Sequence, residues 1–312
     1  MTMESLSDSK LHEILTLVST EAIDPGTSAL ERSPLAQGTF PKEIVSISGQ
    51  GGDGVRLLVK YDVGGVGLSY GHRGGVPYEL RAITEVLPAL GIEEPRLVAS
   101  GATQDGRTWF ASEYLEGSLR VNKIADATAM LQAAQWVGEF HRIAEETFGT
   151  NPPSFVARYG HDYYAGWAHR TMQRSWPGET RWVPDACRTF LRYADELSSG
   201  SSTLIHGEYY VKNILWHEGA IVPVDWESLA FASGVIDIAT LSDGWPAVDR
   251  EQLISAYFAA RWPDGVPPKT DRLLQLADAY VQLRWLSEGG DFDALQWRLD
   301  RFDRIATSLR DP

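Results

Sequence analysis

Residues 9–19, SKLHEILTLVS, repeat apolar side chains at helical spacing and predict a helix, and the Pro-, Gly- and Ser-rich run from 20 to 42 predicts a loop. The period then changes. EIVSIS and VRLLVKYD are short apolar runs on either side of GQGGDG, which predicts two strands joined by a long glycine-rich tip. After a second glycine-rich connector, VGGVGLSYGHRGG, the segment PYELRAITEVLPAL opens on Pro77 and places apolar residues at 80, 83, 87 and 90, as an amphipathic helix does. EPRLVASG and TWFASEYLEG predict two more strands. Beyond LEGSLRV the pattern turns helical, beginning with ATAMLQAAQWVGEFHRIAEE and ending with helices bearing Trp245, Trp262, Trp285 and Trp297. The exception is a short hairpin, NILW and AIVPVDW around HEG. No internal repeat is present. The pattern predicts an α+β chain in three parts: a helix and loop over 1–42, a small mixed lobe over 43–117 with a hinge near 114–120, and a larger, mostly helical lobe over 118–312.

Composition narrows the function. A chain of 312 residues with 43% hydrophobic residues can bury two unequal cores. Acidic residues outnumber basic ones by 42 to 28, which argues against nucleic acid and anionic membrane as partners and tolerates a cationic substrate. The single cysteine, Cys187, excludes an internal disulfide and a cysteine-based zinc site, and suits a reducing cytoplasm. The opening MTMESLSDSKLHEIL is acidic where a signal peptide is basic, and no apolar run approaches the length of a membrane span.

The chemistry concentrates in LIHGEYYVKNILW and the VDWE that follows. Glu208 and Asn213 lie in the loop before the predicted hairpin, and Asp225 and Glu227 close it, so folding the hairpin gathers all four toward one end. Carboxylates and an amide oxygen are hard ligands of the kind Mg²⁺ takes when it also keeps water and substrate phosphates. If VDWE continues the strand, Asp225 and Glu227 share a face and Trp226 points the other way.

HGEYYVKNIL followed by VPVDWESLAFASGVIDIATL resembles the H-G-D-x-x-x-x-N, D-W-E and G-x-x-x-D-L-A blocks of the aminoglycoside phosphotransferase and choline kinase-like family, relatives of protein kinases. The resemblance implies a bilobal protein-kinase-like fold that binds ATP or GTP with Mg²⁺ and phosphorylates a small-molecule hydroxyl. It places Glu208 at the family's catalytic aspartate, Asn213 and Asp225 as magnesium ligands, Glu227 beside the metal, and His206 and Asp237 as braces of the loop. Lys60 resembles the strand lysine that pairs the α- and β-phosphates, and Glu79 its helix partner. A lysine ending an apolar strand and an acid in the first turn of the next helix can meet across such a lobe, where the acid also suits the helix dipole. FASEYLEG resembles the hinge, with backbone groups of Glu113, Tyr114 and Leu115 set to bind adenine and Phe110 or Tyr114 near the base. Gly49, Gly51 and Gly54 fit a phosphate-covering loop, and equally a plain turn, with Asp53 adding negative charge there. His141 is expected in the core and His217 in solvent. YGHDYYAGWAHRTMQRSW, residues 159–176, and the later Trp-bearing helices are candidates to line the acceptor site.

Position 208 departs from the family. Glutamate keeps the carboxylate chemistry, but one more methylene extends its reach by about 1.3 Å, and a misplacement of about 1 Å can cost about a hundredfold in rate. Three readings follow, of which the retention of Lys60, Glu79, Asn213, Asp225 and Glu227 favours the first. The protein is a working kinase whose loop suits glutamate, a pseudokinase-like nucleotide or small-molecule binder, or the same fold turned to another acid–base reaction. The acceptor is equally open among an aminoglycoside or other antibiotic, a nucleoside, choline or an amino alcohol, and a sugar.

Overall fold

The computed structural model describes residues 5–18, 29–35, 39–48, 54–64, 72–93, 95–124, 127–176, 178–289 and 292–310. Gly49, Gly51 and Asp53 of the glycine-rich tip lie outside them. The chain divides into two compact units, Met1–Leu119 with Leu215–Ser228, and Arg120–Ile214 with Leu229–Pro312.

In the first unit, helix α1 (Asp8–Val18) precedes strands β1 (Ala29–Leu35), β2 (Lys42–Ser48) and β3 (Val55–Tyr61), followed by helix α2 (Gly75–Arg81), β4 (Leu97–Ala102) and β5 (Thr108–Glu113). The strands form one antiparallel sheet in the order β1-β2-β3-β5-β4. Alternation along β3 sorts its side chains. Leu57, Val59 and Tyr61 join Leu11 and Ile14 of α1 in one apolar cluster, while Lys60, opposite Phe110 in register, falls on the other face. On that face Phe110 packs with Phe40 and with Val76 of α2.

The expected loop over 20–42 is corrected by β1, which pairs with β2 from Ala29 to Leu35. ALERSPL is a weak strand former containing Pro34, and it is held as an edge strand by the ladder and by Arg32, whose guanidinium reaches Glu43 at 2.6 and 2.9 Å. The single helix expected over 77–90 is also corrected. After Arg81 the chain widens into a π turn at Ala82–Val86, with the Leu87 N–H reaching the Ala82 carbonyl, and then tightens into a 3₁₀ turn at Pro88–Leu90. The helix starts two residues before Pro77, so Glu79 lies beyond its first turn and gains little from the helix dipole. Val76, Glu79, Ala82, Val86, Leu87 and Leu90 are buried, and Leu80 and Ile83 are half-buried against the cluster of Phe40, Val76 and Phe110.

The hairpin counted at the sequence level with the helical lobe belongs largely to the first unit. Strands Ile214–His217 and Ala220–Pro223 are joined by Glu218 and Gly219, both at positive φ, as a tight two-residue turn requires. His217 ends the first of these strands and contacts the Glu116 carbonyl at 3.1 Å rather than standing free in the turn.

The second unit holds helices α3 (Thr128–Phe148), α4 (His161–Met172), α5 (Val183–Leu191), α6 (Ala194–Ser199), α7 (Val235–Leu241), α8 (Ala247–Arg261), α9 (Thr270–Glu288) and α10 (Phe292–Arg310). A three-stranded sheet, ordered Ala157–Arg158, Ala230–Ser233, Ser202–Ile205, carries the chain into the His206–Asn213 loop. Trp285 and Trp297 lie on α9 and α10, whereas Trp245 and Trp262 fall just outside the ends of α8. Among the described residues no helix is long and apolar enough to cross a membrane.

Helices α3 and α8 meet at Gly138, where an added Cβ would stand 2.6 Å from the Tyr257 carbonyl oxygen and 2.9 Å from the Ala260 Cβ. Backbone cannot swing aside as a side chain can, so the overpacking cost of about 1–3 kcal/mol exceeds the helix-propensity gain of up to about 1 kcal/mol. Gly138→Ala is expected to lower stability by about 1–2 kcal/mol, measured as a reduced urea midpoint at unchanged slope. An increase in the midpoint contradicts the close crossing.

Candidate active site

Four sequence-selected residues of the first unit come together around one ammonium. Lys60 Nζ lies 2.5 Å from Glu79 Oε2, 2.9 Å from Asp225 Oδ1 and 3.6 Å from Glu227 Oε2, and about 5.6 Å from the centre of the Phe40 ring. Burial works against the charged amine, but Glu79, Asp225 and Glu227 outweigh it and hold its pKa well above the ordinary lysine value. Lys60 is therefore a fixed cation. Glu79 in turn accepts the Trp226 N–H at 3.2 Å, and the Gly74 N–H binds the Glu227 carbonyl at 2.7 Å, so α2 and the VDWE turn are tied together.

The strand alternation expected for VDWE does not occur. The strand ends at Pro223, Asp225 takes a left-handed backbone at φ 64°, and Trp226–Ser228 form a 3₁₀ turn. A non-glycine residue at positive φ carries a conformational cost, and such positions gather at functional sites. Here the bend turns both acids inward: Asp225 toward Lys60 and, at 3.7 Å, Lys42, and Glu227 toward Lys60 and, at 3.3 Å, Arg73. Glu227 is nearly buried, whereas Asp225 keeps 28% of its side-chain surface.

At the expected hinge, two of the three amides are already used. Glu113 donates to the Arg96 carbonyl at 2.9 Å and Tyr114 to the Arg56 carbonyl at 3.2 Å, while the Leu115 amide shows no such bond among the described residues. Phe110 is buried between Phe40 and Val76, which removes it as a partner for a base and leaves the half-buried Tyr114.

In the second unit, the HGEYYVKN loop is built on Asp237 of α7. One carboxylate oxygen accepts the His206 N–H at 2.7 Å, the other the Gly207 N–H at 3.0 Å. Gly207 sits at φ 80°, where a side chain is disfavoured. Asn213, 4% exposed, donates its amide N–H to the Glu208 carbonyl at 3.0 Å, and its amide oxygen is the acceptor end of the side chain. The Glu208 side chain is buried, and its Oε1 accepts a 2.9 Å bond from Arg284 Nη2 on α9. Arg284 was missed at the sequence level. A signal was present, since VQLRWL sets one arginine among Val281, Leu283, Trp285 and Leu286 in a helical run.

Tyr164 and Trp167 of the 159–176 segment are fully buried, and Tyr163 and Tyr280 join hydroxyls at 2.8 Å, so this aromatic group packs the unit. Burial pushes the Cys187 thiol up to about 12, which makes it inert as a nucleophile.

Among the described residues no three His, Cys, Asp or Glu side chains gather to cage a metal. Mg²⁺ needs no such cage, because it keeps waters and phosphate oxygens and takes one or two protein oxygens. The Asp225 carboxylate, partly exposed and balanced by lysines, and the Asn213 amide oxygen are donors of that type.

A model of the Phosphotransferase enzyme family matches residues 74–273. Among solved structures, the choline kinase from Cryptosporidium parvum Iowa II is similar with a TM-score of 0.62 and 14% identity, over 97% of each chain. The choline kinase LicA from Streptococcus pneumoniae gives 0.60 and 14%, over 97% of this chain and 99% of that one. A thermostable mutant of aminoglycoside phosphotransferase APH(4)-Ia, in ternary complex with AMP-PNP and hygromycin B, gives 0.59 and 18%, over 91% and 96%. No curated protein sequence matches the chain. At these identities the likeness establishes the fold, an α+β architecture of the protein-kinase-like kind.

His141 supports the loop from behind. Its Nε2–H faces Asp237 Oδ2 at 3.1 Å, and Nδ1 accepts from the Tyr257 hydroxyl at 3.0 Å, which itself accepts from Arg261 at 2.6 Å. Burial foremost, with the nearby Arg261 charge, lowers the pKa of His141 from 6.5 to about 4 despite Asp237. The unfolded chain binds this proton more readily, so the stability the neutral ring contributes is complete above about pH 6.5 and is lost as pH falls toward 4, by up to about 3 kcal/mol. Urea unfolding of wild type across that range is expected to show this loss, and His141→Gln to lack it. An identical pH dependence in both proteins contradicts a neutral His141.

Proposed function

Because the chain belongs to the phosphotransferase enzyme family, we propose that it transfers the γ-phosphate of ATP, or GTP, to a hydroxyl of a small molecule, with Glu208 as the base. The observation that carries this reading is Lys60, a buried cation held by Glu79 and Asp225. A structural ion pair needs one carboxylate; a lysine among three acids is poised to exchange one for phosphate oxygens. Lys60 pairs the α- and β-phosphates, Glu79 keeps its ammonium in place, and the Leu115 amide and the Tyr114 ring receive the base. Glu208 accepts the proton of the acceptor hydroxyl as its oxygen attacks the γ-phosphorus and the bond to the nucleoside diphosphate breaks. When bound, Mg²⁺ would neutralise charge on the phosphates, with oxygens of Asp225 and Asn213 as its ligands and Glu227 beside Asp225.

Similar structures include choline kinases and a complex with AMP-PNP and hygromycin B, which supports a hydroxylated acceptor such as an amino alcohol, an antibiotic or other natural product, or a sugar. A cytoplasmic enzyme with one buried, inert thiol fits this role. The buried pairing of Glu208 with Arg284 favours a second reading, a pseudokinase-like protein that binds nucleotide and transfers phosphate poorly.

Calorimetry with Mg·ATP and nucleoside-diphosphate release over a panel of hydroxylated acceptors separate the two. Wild type is expected to bind and turn over. Glu208→Gln is expected to lose about 10²–10⁴-fold in kcat at similar nucleotide affinity, and Lys60→Met to weaken nucleotide binding by about tenfold or more. Binding without turnover selects the pseudokinase, and no binding in the presence of Mg²⁺ sinks both.

A further inference from the structure

The extra methylene at position 208 has a counterpart on α9. Arg284 is 3% exposed, and its two terminal nitrogens grip consecutive residues of one loop, Nη1 the Gly207 carbonyl and Nη2 the Glu208 carboxylate, each at 2.9 Å. The guanidinium carbon lies 5.9, 6.0 and 5.8 Å from the ring centres of Trp167, Tyr210 and Tyr280, so aromatic rings surround the fork. The loop backbone is fixed independently by Asp237 through the His206 and Gly207 N–H groups. What remains undetermined by the backbone is the longer side chain itself. Glutamate has one more rotatable bond than aspartate, and a bidentate fork anchored to the same loop removes that freedom.

We propose that Arg284 is a positioning residue that draws the Glu208 carboxylate back by the length of its extra methylene, so that glutamate serves as the base where relatives of this motif carry aspartate. The inference rests on the phosphotransfer reading above. It explains the burial of a full positive charge in the middle of α9, which is costly unless the charge has an assigned partner. An aspartate at 208 would not keep the same contact from the same backbone: the guanidinium would draw the shorter carboxylate toward itself and away from the acceptor hydroxyl. Glu208 and Arg284 therefore form a matched pair, and changing one makes the other unfavourable.

The test is steady-state phosphoryl transfer by wild type, Arg284→Lys, Arg284→Met, Glu208→Asp and the double variant Glu208→Asp with Arg284→Met, with nucleotide affinity measured for each. Arg284→Lys and Arg284→Met are expected to lose on the order of a hundredfold in kcat with the KM for ATP unchanged, since the interaction acts on the chemical step. Glu208→Asp is expected to fall comparably, and the double variant to exceed it, because removing the guanidinium releases the shorter carboxylate. A purely structural Arg284 would instead make the two losses multiply. Arg284→Lys keeps the charge without the fork and carries the test if Arg284→Met does not fold, as judged by loss of nucleotide binding. An active wild type with unaffected Arg284 variants, or multiplying losses, overturns the proposal alone. A wild type that binds ATP and phosphorylates no acceptor overturns the phosphotransfer reading and this proposal with it.

Discussion

A charge removed from water must be met by an opposite charge, and the candidate functional residues stand where they do under that constraint. Lys60 is buried among Glu79, Asp225 and Glu227, Arg284 is buried against Glu208, and Asp237 is buried beneath two backbone N–H groups and His141. Removing one partner from such a set leaves the other uncompensated, at a cost of several kcal/mol. The arrangement is accordingly specific rather than merely stable. Each carboxylate has an address given by a cation or a donor on another element.

Secondary structure supplies these addresses in different ways. In the first unit, the two-residue period of β3 turns Leu57, Val59 and Tyr61 toward α1 and leaves Lys60 on the face where α2 packs. The VDWE segment breaks its strand, and with Asp225 in a left-handed turn both Asp225 and Glu227 meet the same ammonium. In the second unit, a short sheet delivers the chain to His206, and the N-terminal turn of α7 holds His206 and Gly207 through Asp237. The loop is thus fixed before its side chains are considered. A side chain on a loop fixed in this way loses little entropy when a ligand arrives.

Much of this was legible in the chain itself. The apolar periods located α1, β2, β3, α3 and the first strand of the hairpin within a residue or two, and the spacing from His206 through Asn213 to Asp225 and Asp237 picked out the candidate residues. The failures have physical causes. The strand β1 has little strand propensity of its own and exists because β2 offers it a ladder. The helix after Pro77 is not one α-helix, because a π turn at Ala82–Val86 and a 3₁₀ turn from Pro88 change its period. Phe110, one of two candidates to lie near a base, is core, because an aromatic residue on a strand looks the same in either role until its neighbours are known.

By itself, the sequence determined the α+β character, the order of the elements and the residue types that can bind phosphate and accept a proton, because these depend on local periods and on chemistry carried by single side chains. Only the tertiary structure decided which charge meets which. Lys60 and Asp225 are 165 positions apart, and Glu208 and Arg284 are 76 apart. No local period links residues at such separations; packing brings them together, and burial then makes the pairing obligatory. The glutamate at 208 has its partner in an arginine on α9 that no reading of its own motif could supply.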